Sequence, residues 1–243
     1  MRYFVIADIH SNLEALDAVL KYRNYDRLLV LGDIVGYGAD PDKTVQRIRD
    51  SAPAAIVRGN HDKVIAGLEG SESFVSHARE SARWTRDQLS PENLDFIRNL
   101  PAGPLQIDET ITIAHGAPFD EDAYLVPNIP TDEVFEGCTT PVCFFGHTHV
   151  PTVFYGIGQT VYSTQVIPPV SMSLMRDASR YLINPGSVGQ PRDGDPRAAF
   201  LVFDSEKFEV EFHRVEYDIQ MAQQKIRAAG LPDFLSQRLA RGV

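Results

Sequence analysis

Three short apolar runs in the first sixty residues, each cut off at once by Asp, Gly-Asp or Arg-Gly-Asn, constrain this chain more than any other feature. Residues 2–7, Arg27–Leu31 and Ala54–Val57 are too short for helices and too uniformly apolar for half-exposed strands, so they predict buried parallel strands. Helical spacing fills the gaps between them. Ser11 and Glu14 stand at the spacing of a capping box, with Leu13, Leu16, Val19 and Leu20 recurring behind them, and Pro41 to Ser51 predicts a second helix. This β-α-β-α-β order implies a parallel sheet with right-handed crossovers. Two further helices are expected over Phe74–Gln88 and Pro91–Asn99, the second opened by Ser90-Pro91.

Beyond residue 100 the period changes. Leu105–Ile107, Thr110–Ala114, Val142–Phe145, Val153–Tyr155, Tyr181–Ile183, Ala199–Phe203 and Val210–His213 predict a second, largely antiparallel sheet. Residues 156–180 have no clean period and are expected to form a hairpin, flap or cap. Its neighbourhood holds Tyr155, Tyr162, Met172, Met175 and Tyr181, enough apolar surface to cover an organic group, although packing against the second sheet is the better reading. A last helix is expected over Ile219–Ala229, with a helical tail. A chain of 243 residues and 27.1 kDa fits one large α/β domain over residues 1–243.

Lys and Arg number 23 against 33 Asp and Glu, a net charge of −10. Proteins that coat nucleic acid or membrane surfaces exploit a basic field, so neither partner is expected. A DNA nuclease is a weaker variant, resting on Arg176, Arg180, Arg192 and Arg197 as a local basic rim. A phosphate substrate remains compatible with the acidity, because bound metal ions reverse the sign locally. Cys138 and Cys143, around Pro141, match no zinc spacing and read as buried apolar residues. The run from Met1 to Ala7 is too short for a signal peptide, and no segment approaches the roughly 18 apolar residues of a membrane span. A cytoplasmic protein is therefore expected, with its oligomeric state open.

The polar residues fall at the ends of the strands. Asp8 and His10 follow the first, Gly32-Asp33 the second and Arg58-Gly59-Asn60-His61-Asp62 the third. His115-Gly116 and Gly146-His147-Thr148-His149 follow two later ones. In open α/β sheets the carboxyl ends of the strands converge on one crevice, so five clusters imply one site. Strand alternation would put Asp8 and His10 on one face, and His147 and His149 likewise. Converging Asp, His and Asn side chains suit hard or borderline divalent ions such as Mn, Fe or Zn. The flanking glycines let the backbone turn sharply beside an ion or phosphate.

Taken singly, each residue has a plainer reading. Asp8 and Asp33 could cap helices, His115 could be a satisfied core histidine, Asn60 a turn residue and Arg58 a solvated charge. The joint pattern outweighs these, because five of the 7 histidines join two Asp and one Asn in it; His77 and His213 stay outside.

The ordered set Asp-x-His, Gly-Asp, Gly-Asn-His-Asp, a lone His and Gly-His-x-His resembles the calcineurin-like metallophosphoesterases, in particular their small bacterial and archaeal branch. The resemblance implies a four-layer αββα sandwich of two mixed sheets with a two-metal centre at the strand ends. It implies Asp8, His10 and His149 as ligands of one divalent ion, Asn60, His115 and His147 of the other, and Asp33 bridging both. It makes His61 a catalytic, substrate-facing residue that protonates the leaving oxygen or stabilises charge on the phosphoryl group. Asp62 would hold the ring of His61, and Arg58 would grip a phosphate oxygen; Asn60 would also touch the substrate. The implied reaction is hydrolysis of a small phosphorylated metabolite or nucleotide by attack of a metal-bound hydroxide on phosphorus, in a diester or a monoester. The run Gly32-Asp33-Ile34-Val35-Gly36-Tyr37-Gly38 lacks the Arg of the Ser/Thr protein phosphatases, which argues against that activity. Asn184 to Arg192 is similar to a glycine-containing loop of bacterial members, with Arg192 near the mouth of the site as a candidate substrate contact; its plainer reading is a tight turn. The alternative to an enzyme is a slow or inactive scaffold or nucleotide sensor on the same fold. Such relatives lose ligands or the His61 equivalent, and here none is lost.

Overall fold

The computed structural model describes residues 1–127, 132–158, 160–176 and 179–243. Gln159, Asp177 and Ala178, within the expected 156–180 flap, lie outside the described residues.

The three apolar runs become β1 (Arg2–Ile6), β2 (Arg27–Val30) and β3 (Ala55–Ile56), paired in parallel with Tyr3 opposite Arg27 and Leu29 opposite Ala55. Helices α1 (Leu13–Val19) and α2 (Pro41–Asp50) make the crossovers. Asn12, not Ser11, caps α1: its side chain accepts from the Ala15 amide at 3.2 Å. Ser11 sits in the left-handed region at φ 53°, which commits its amide to the Ile34 carbonyl at 3.0 Å. A helix absent from the sequence reading, α3 (Asn60–Ala66), starts in the Asn-His-Asp cluster itself. Then come α4 (Ser76–Gln88) and α5 (Pro91–Arg98), the latter capped by Ser90 as its sequence predicts.

The second half supplies β4 (Leu105–Gln106), β5 (Ile111–Ile113), β6 (Val142–Phe144), β7 (Thr152–Ile157), β8 (Thr160–Gln165), β9 (Val170–Ser173), β10 (Ser179–Asn184), β11 (Ala198–Asp204) and β12 (Glu209–Val215). They do not form one antiparallel sheet. One sheet runs β3-β2-β1-β11-β12-β9 and the other β4-β5-β6-β10-β7-β8, and both are mixed. The expected strands 199–203 and 210–213 therefore extend the first sheet, because β11 is apolar on both faces and pairs antiparallel with β1. Two C-terminal helices, α6 (Ile219–Ala228) and α7 (Asp233–Leu239), complete the chain.

Alternation along β1 sets the layers. Phe4 and Ile6 join the helix-facing core with Leu16, Val45, Ile48 and Phe200. Tyr3, Val5 and Ala7 point the other way, against Ile113, Phe144 and Ile183 of the second sheet. The outer face of that sheet, Cys143, Phe145, Phe154 and Leu182, is covered by Leu125 and a 3₁₀ turn over Asp132–Phe135. Both cysteines are buried and unpaired. At its far end the β7–β8 pair sets Ile157 opposite Thr160, at the end of the sheet opposite the carboxyl end of β10, and β9 crosses to the edge of the first sheet. Tyr155 stacks on Tyr162 at 5.1 Å, so these rings pack the sheet. Among the described residues no helix is long and apolar enough to cross a membrane.

Candidate metal centre

The polar clusters meet where the strands end, but through left-handed turns and not through alternation. Asp8 (φ 53°), His10 (50°), Asp33 (49°), His147 (69°) and His149 (62°) all lie in a region that costs a residue with a Cβ about 1 kcal/mol or more. Backbone hydrogen bonds hold them there: the amides of Ile9 and His10 both donate to the Asp33 carbonyl at 2.9 Å. The His147 amide donates to the Asp8 carboxylate at 3.1 Å, and the His61 amide to Asp33 Oδ1 at 2.9 Å. Gly59 is required by closeness, since a Cβ there would lie 2.1 Å from Asp33 Oδ1.

Two clusters of potential ligands share Asp33. Asp8, His10, Asp33 and His149 form one, and Asp33, His115 and His147 the other; in each, one donor atom per residue lies within 4.8 Å of the rest. Asp33 Oδ2 sits 3.5 Å from both His10 Nε2 and His115 Nε2, between the two. Asn60 Oδ1 approaches His115 Nε2 at 3.2 Å, and His149 Nε2 lies 3.4 Å from Asp8 Oδ1.

Backbone carbonyls settle the tautomers, because a carbonyl can only accept. His10 Nδ1 donates to Val35 O (3.3 Å), His115 Nδ1 to Leu31 O (2.7 Å) and His149 Nδ1 to Gln190 O (2.6 Å). His147 is turned round, donating from Nε2 to Asp122 O at 3.0 Å. With neutral rings, every inward nitrogen is a bare lone pair. Lone pairs then face each other at 3.1 Å between His10 and His149 and at 3.2 Å between His115 and His147.

Burial favours the neutral form of every group here. It pushes His115 down to about 4 and His147 to about 3, and holds His10 and His149 well below the usual imidazole range. Burial lifts Asp33 to about 7 and Asp8 well above its ordinary value, the latter also through repulsion from Asp33. Among the described residues no lysine or arginine pairs with either carboxyl. Imidazole and carboxylate donors in this arrangement fit borderline divalent cations, whose charge would relieve both the facing lone pairs and the buried carboxylates.

A cleft of about 340 Å³ opens over this floor, reached by Asp33, Asn60, His61, His147, His149 and Arg192. No described residue of 156–180 lines it. His61 is buried, its ring 4.4 Å from that of Tyr37 and 4.6 Å from that of Phe74, and its Nδ1 has no hydrogen-bond partner. Two expectations need correcting. Asp62 does not hold the His61 ring; its carboxylate accepts from the amides of Gly59 (3.0 Å) and Val35 (3.1 Å), because at the third position of α3 it faces back along its own helix. Arg58 is not turned into the cleft but gripped by Glu121 in a two-pronged pair at 2.9 and 3.1 Å, a carboxylate 63 residues away in sequence that no local pattern reveals.

Arg192, expected near the mouth of the site, does reach the cleft. It lines the cleft, donates to Tyr124 Oη at 3.3 Å and Gln190 Oε1 at 3.2 Å, and keeps a buried Nε without a partner. Tyr37, Tyr124 and Phe74 in the cleft wall were missed, although Tyr37 follows Gly32-Asp33 so closely that it could have been flagged. Tyr124 lies against His147 at 4.0 Å. His77 and His213 stand outside, against Phe234 and Phe200.

The loop from Asn184 to Arg192 ties the site together. Its Ser187 Oγ and Gly189 amide donate to Asp8 O (2.7 and 3.0 Å), Asn184 Nδ2 donates to Gly146 O (2.6 Å), and Gln190 O orients His149. Gly189 is required because a Cβ there would fall 1.8 Å from Ile9 O. Gly189→Ala should therefore cost about 2 kcal/mol or more, a fall in Tm of roughly 4–8 °C by scanning calorimetry. An unchanged Tm would mean that the loop is not pinned as described.

Known proteins agree with this architecture. The calcineurin-like phosphoesterase superfamily domain matches residues 1–207. An uncharacterized protein of Methanocaldococcus jannaschii is 40% identical, covering 98% of this chain and 97% of its own. A metallophosphoesterase crystal structure from Sphaerobacter thermophilus superposes with a TM-score of 0.86 at 40% identity, over 100% of both chains. A hypothetical protein from Pyrococcus horikoshii shares the fold, with a TM-score of 0.77 at 22% identity over 100% of this chain and 98% of its own. With the domain match running from β1 through β11 and taking in the whole candidate metal centre, the chain belongs to the calcineurin-like phosphoesterase superfamily.

Proposed function

We propose that this protein is a phosphoesterase dependent on two divalent metal ions, hydrolysing a small phosphorylated metabolite or nucleotide in the cytoplasm. The observation that carries the reading is the pair of ligand clusters sharing Asp33 beneath a cleft that also holds an unpartnered Arg192 Nε. Asp8, His10 and His149 would hold one ion, Asn60, His115 and His147 the other, with Asp33 between them. Such ions supply positive charge to phosphoryl oxygens and lower the pKa of water.

The chain's own residues do the rest. The carbonyls of Val35, Leu31, Gln190 and Asp122 keep the four ligand rings in their tautomers. Arg192, free at Nε, binds and orients a phosphate oxygen. His61 faces the cleft and serves the leaving oxygen, donating a proton or a hydrogen bond there. Arg58, held by Glu121, has no direct part in binding the substrate.

The test is Mn²⁺-dependent hydrolysis of bis-p-nitrophenyl phosphate and p-nitrophenyl phosphate by the purified chain, with Asp33→Asn as the blank. Turnover that vanishes in the blank is expected. With metal bound and neither ester cleaved, the sensor or scaffold reading would replace the enzyme. Arg192→Ala should raise KM about tenfold or more while leaving metal content intact, since a charged hydrogen bond is worth about 1.5–3 kcal/mol. An unchanged KM would remove Arg192 from the binding site.

A further inference from the structure

The cleft has two chemically different ends. One is the ligand floor with Arg192; the other is lined by Val64, Phe74, Val75 and Ala78, with Tyr37 bridging to the floor, its ring 4.7 Å from that of His10. His61 joins them, its ring packed against Tyr37 and Phe74. Phe74 is presented by the loop before α4, whose shape rests on one guanidinium: Arg79 donates to the carbonyls of Ser71 (3.1 Å), Glu72 (3.2 Å) and Phe74 (3.0 Å).

The charge at this end is already spent. Lys63, the cation of the wall, binds Glu69 at 2.7 Å, Glu121 at 3.2 Å and Asp122 besides. One ammonium against three carboxylates leaves the wall acidic, even with Arg58 sharing Glu121. A second phosphate placed there would meet carboxylates and apolar side chains, since among the described residues lining the cleft Lys63 and Arg192 are the cations and Lys63 is already held. A flat apolar group would instead cover Phe74 and Val75 and remove them from water.

We infer that this end of the cleft is a subsite for the organic part of the substrate, in which Phe74 and Val75 select phosphate compounds bearing an uncharged aromatic or bulky apolar group over those bearing a further phosphate. The inference rests on the phosphoesterase reading above. Phosphorus sits over the ligand floor and Arg192, and the substituent that passes His61 lies on the Phe74 ring.

Calorimetric binding of benzylphosphonate and methylphosphonate to the Mn²⁺-loaded full chain tests this without turnover. Benzylphosphonate should bind about tenfold more tightly, the return for burying one ring against an apolar wall. That ratio should collapse towards one in Phe74→Ala and to roughly threefold or less in Val75→Asp. Val75 is 58% exposed, so its replacement does not threaten the fold even if Phe74→Ala does. Equal binding of the two phosphonates, or a ratio untouched by both substitutions, overturns the subsite while leaving the phosphate site standing. Binding of neither overturns the phosphoesterase reading itself, and the subsite with it.

Discussion

Asp33→Asn should abolish metal-dependent phosphoester hydrolysis and strip the protein of bound Mn²⁺. Asp33 Oδ2 is equidistant, at 3.5 Å, from ring nitrogens belonging to the two clusters, so one carboxylate serves both. An amide in its place has one acceptor oxygen and no charge, and its NH₂ would point donors at a site built from lone pairs. The other carboxylate oxygen accepts the His61 amide at the start of α3, so the substitution also disturbs the turn that carries Asn60. Metal content by atomic absorption and turnover by p-nitrophenol release should fall together, turnover by at least a thousandfold or so, as expected when Lewis-acid charge stabilisation worth several kcal/mol is lost. A variant that keeps both ions and full activity would refute the shared-ligand arrangement.

His61→Ala should behave differently: metal stoichiometry is retained and kcat falls by about a hundredfold or more. The ring lies edge-on to His10 at 4.9 Å, yet it belongs to neither ligand cluster, and its Nδ1 is unpartnered. Burial and the nearby Arg192 keep this imidazole well below its usual pKa, so it is neutral in the free protein. Arrival of a phosphate dianion opposes both effects and favours the protonated ring, which ties proton donation to substrate binding. The split between kcat and metal content is the informative quantity. Loss of metal in this variant would make His61 a ligand instead.

The elements legible in the sequence were those whose signal is local. Short apolar runs at Arg2–Ile6, Arg27–Val30 and Ala198–Asp204 are strands, and the helices at Leu13–Val19 and Pro41–Asp50 and the Ser90-Pro91 start of α5 appear as expected. The order of polar clusters likewise brought Asp8, His10, Asp33, Asn60, His115, His147 and His149 to one place. Sheet membership was not legible: β11 and Val142–Phe144 are equally apolar, and nothing in either run says which sheet it joins. Helix α3 hid because its first turn is spent on site residues and offers no apolar period. The expected alternation of Asp8 and His10 failed because both lie beyond the last residue of β1, in turns held by the crossing chain at Asp33 and by Ser187 and Gly189.

The two arginines show most clearly where the boundary lies. Sequence alone determined that His, Asp and Asn side chains suited to a divalent cation would come together, because ligand type is a property of each residue and strand ends converge in any fold of this kind. It named both Arg58 and Arg192 and could not say which of them reaches the cleft. Arg58 sits beside the motif yet is neutralised by Glu121, while Arg192, far along the chain, is carried into the cleft by a loop bonded to Asp8 and His149. A charge acts through what stands within a few ångströms of it, and that neighbourhood is set by tertiary contacts between segments 41 to 179 residues apart.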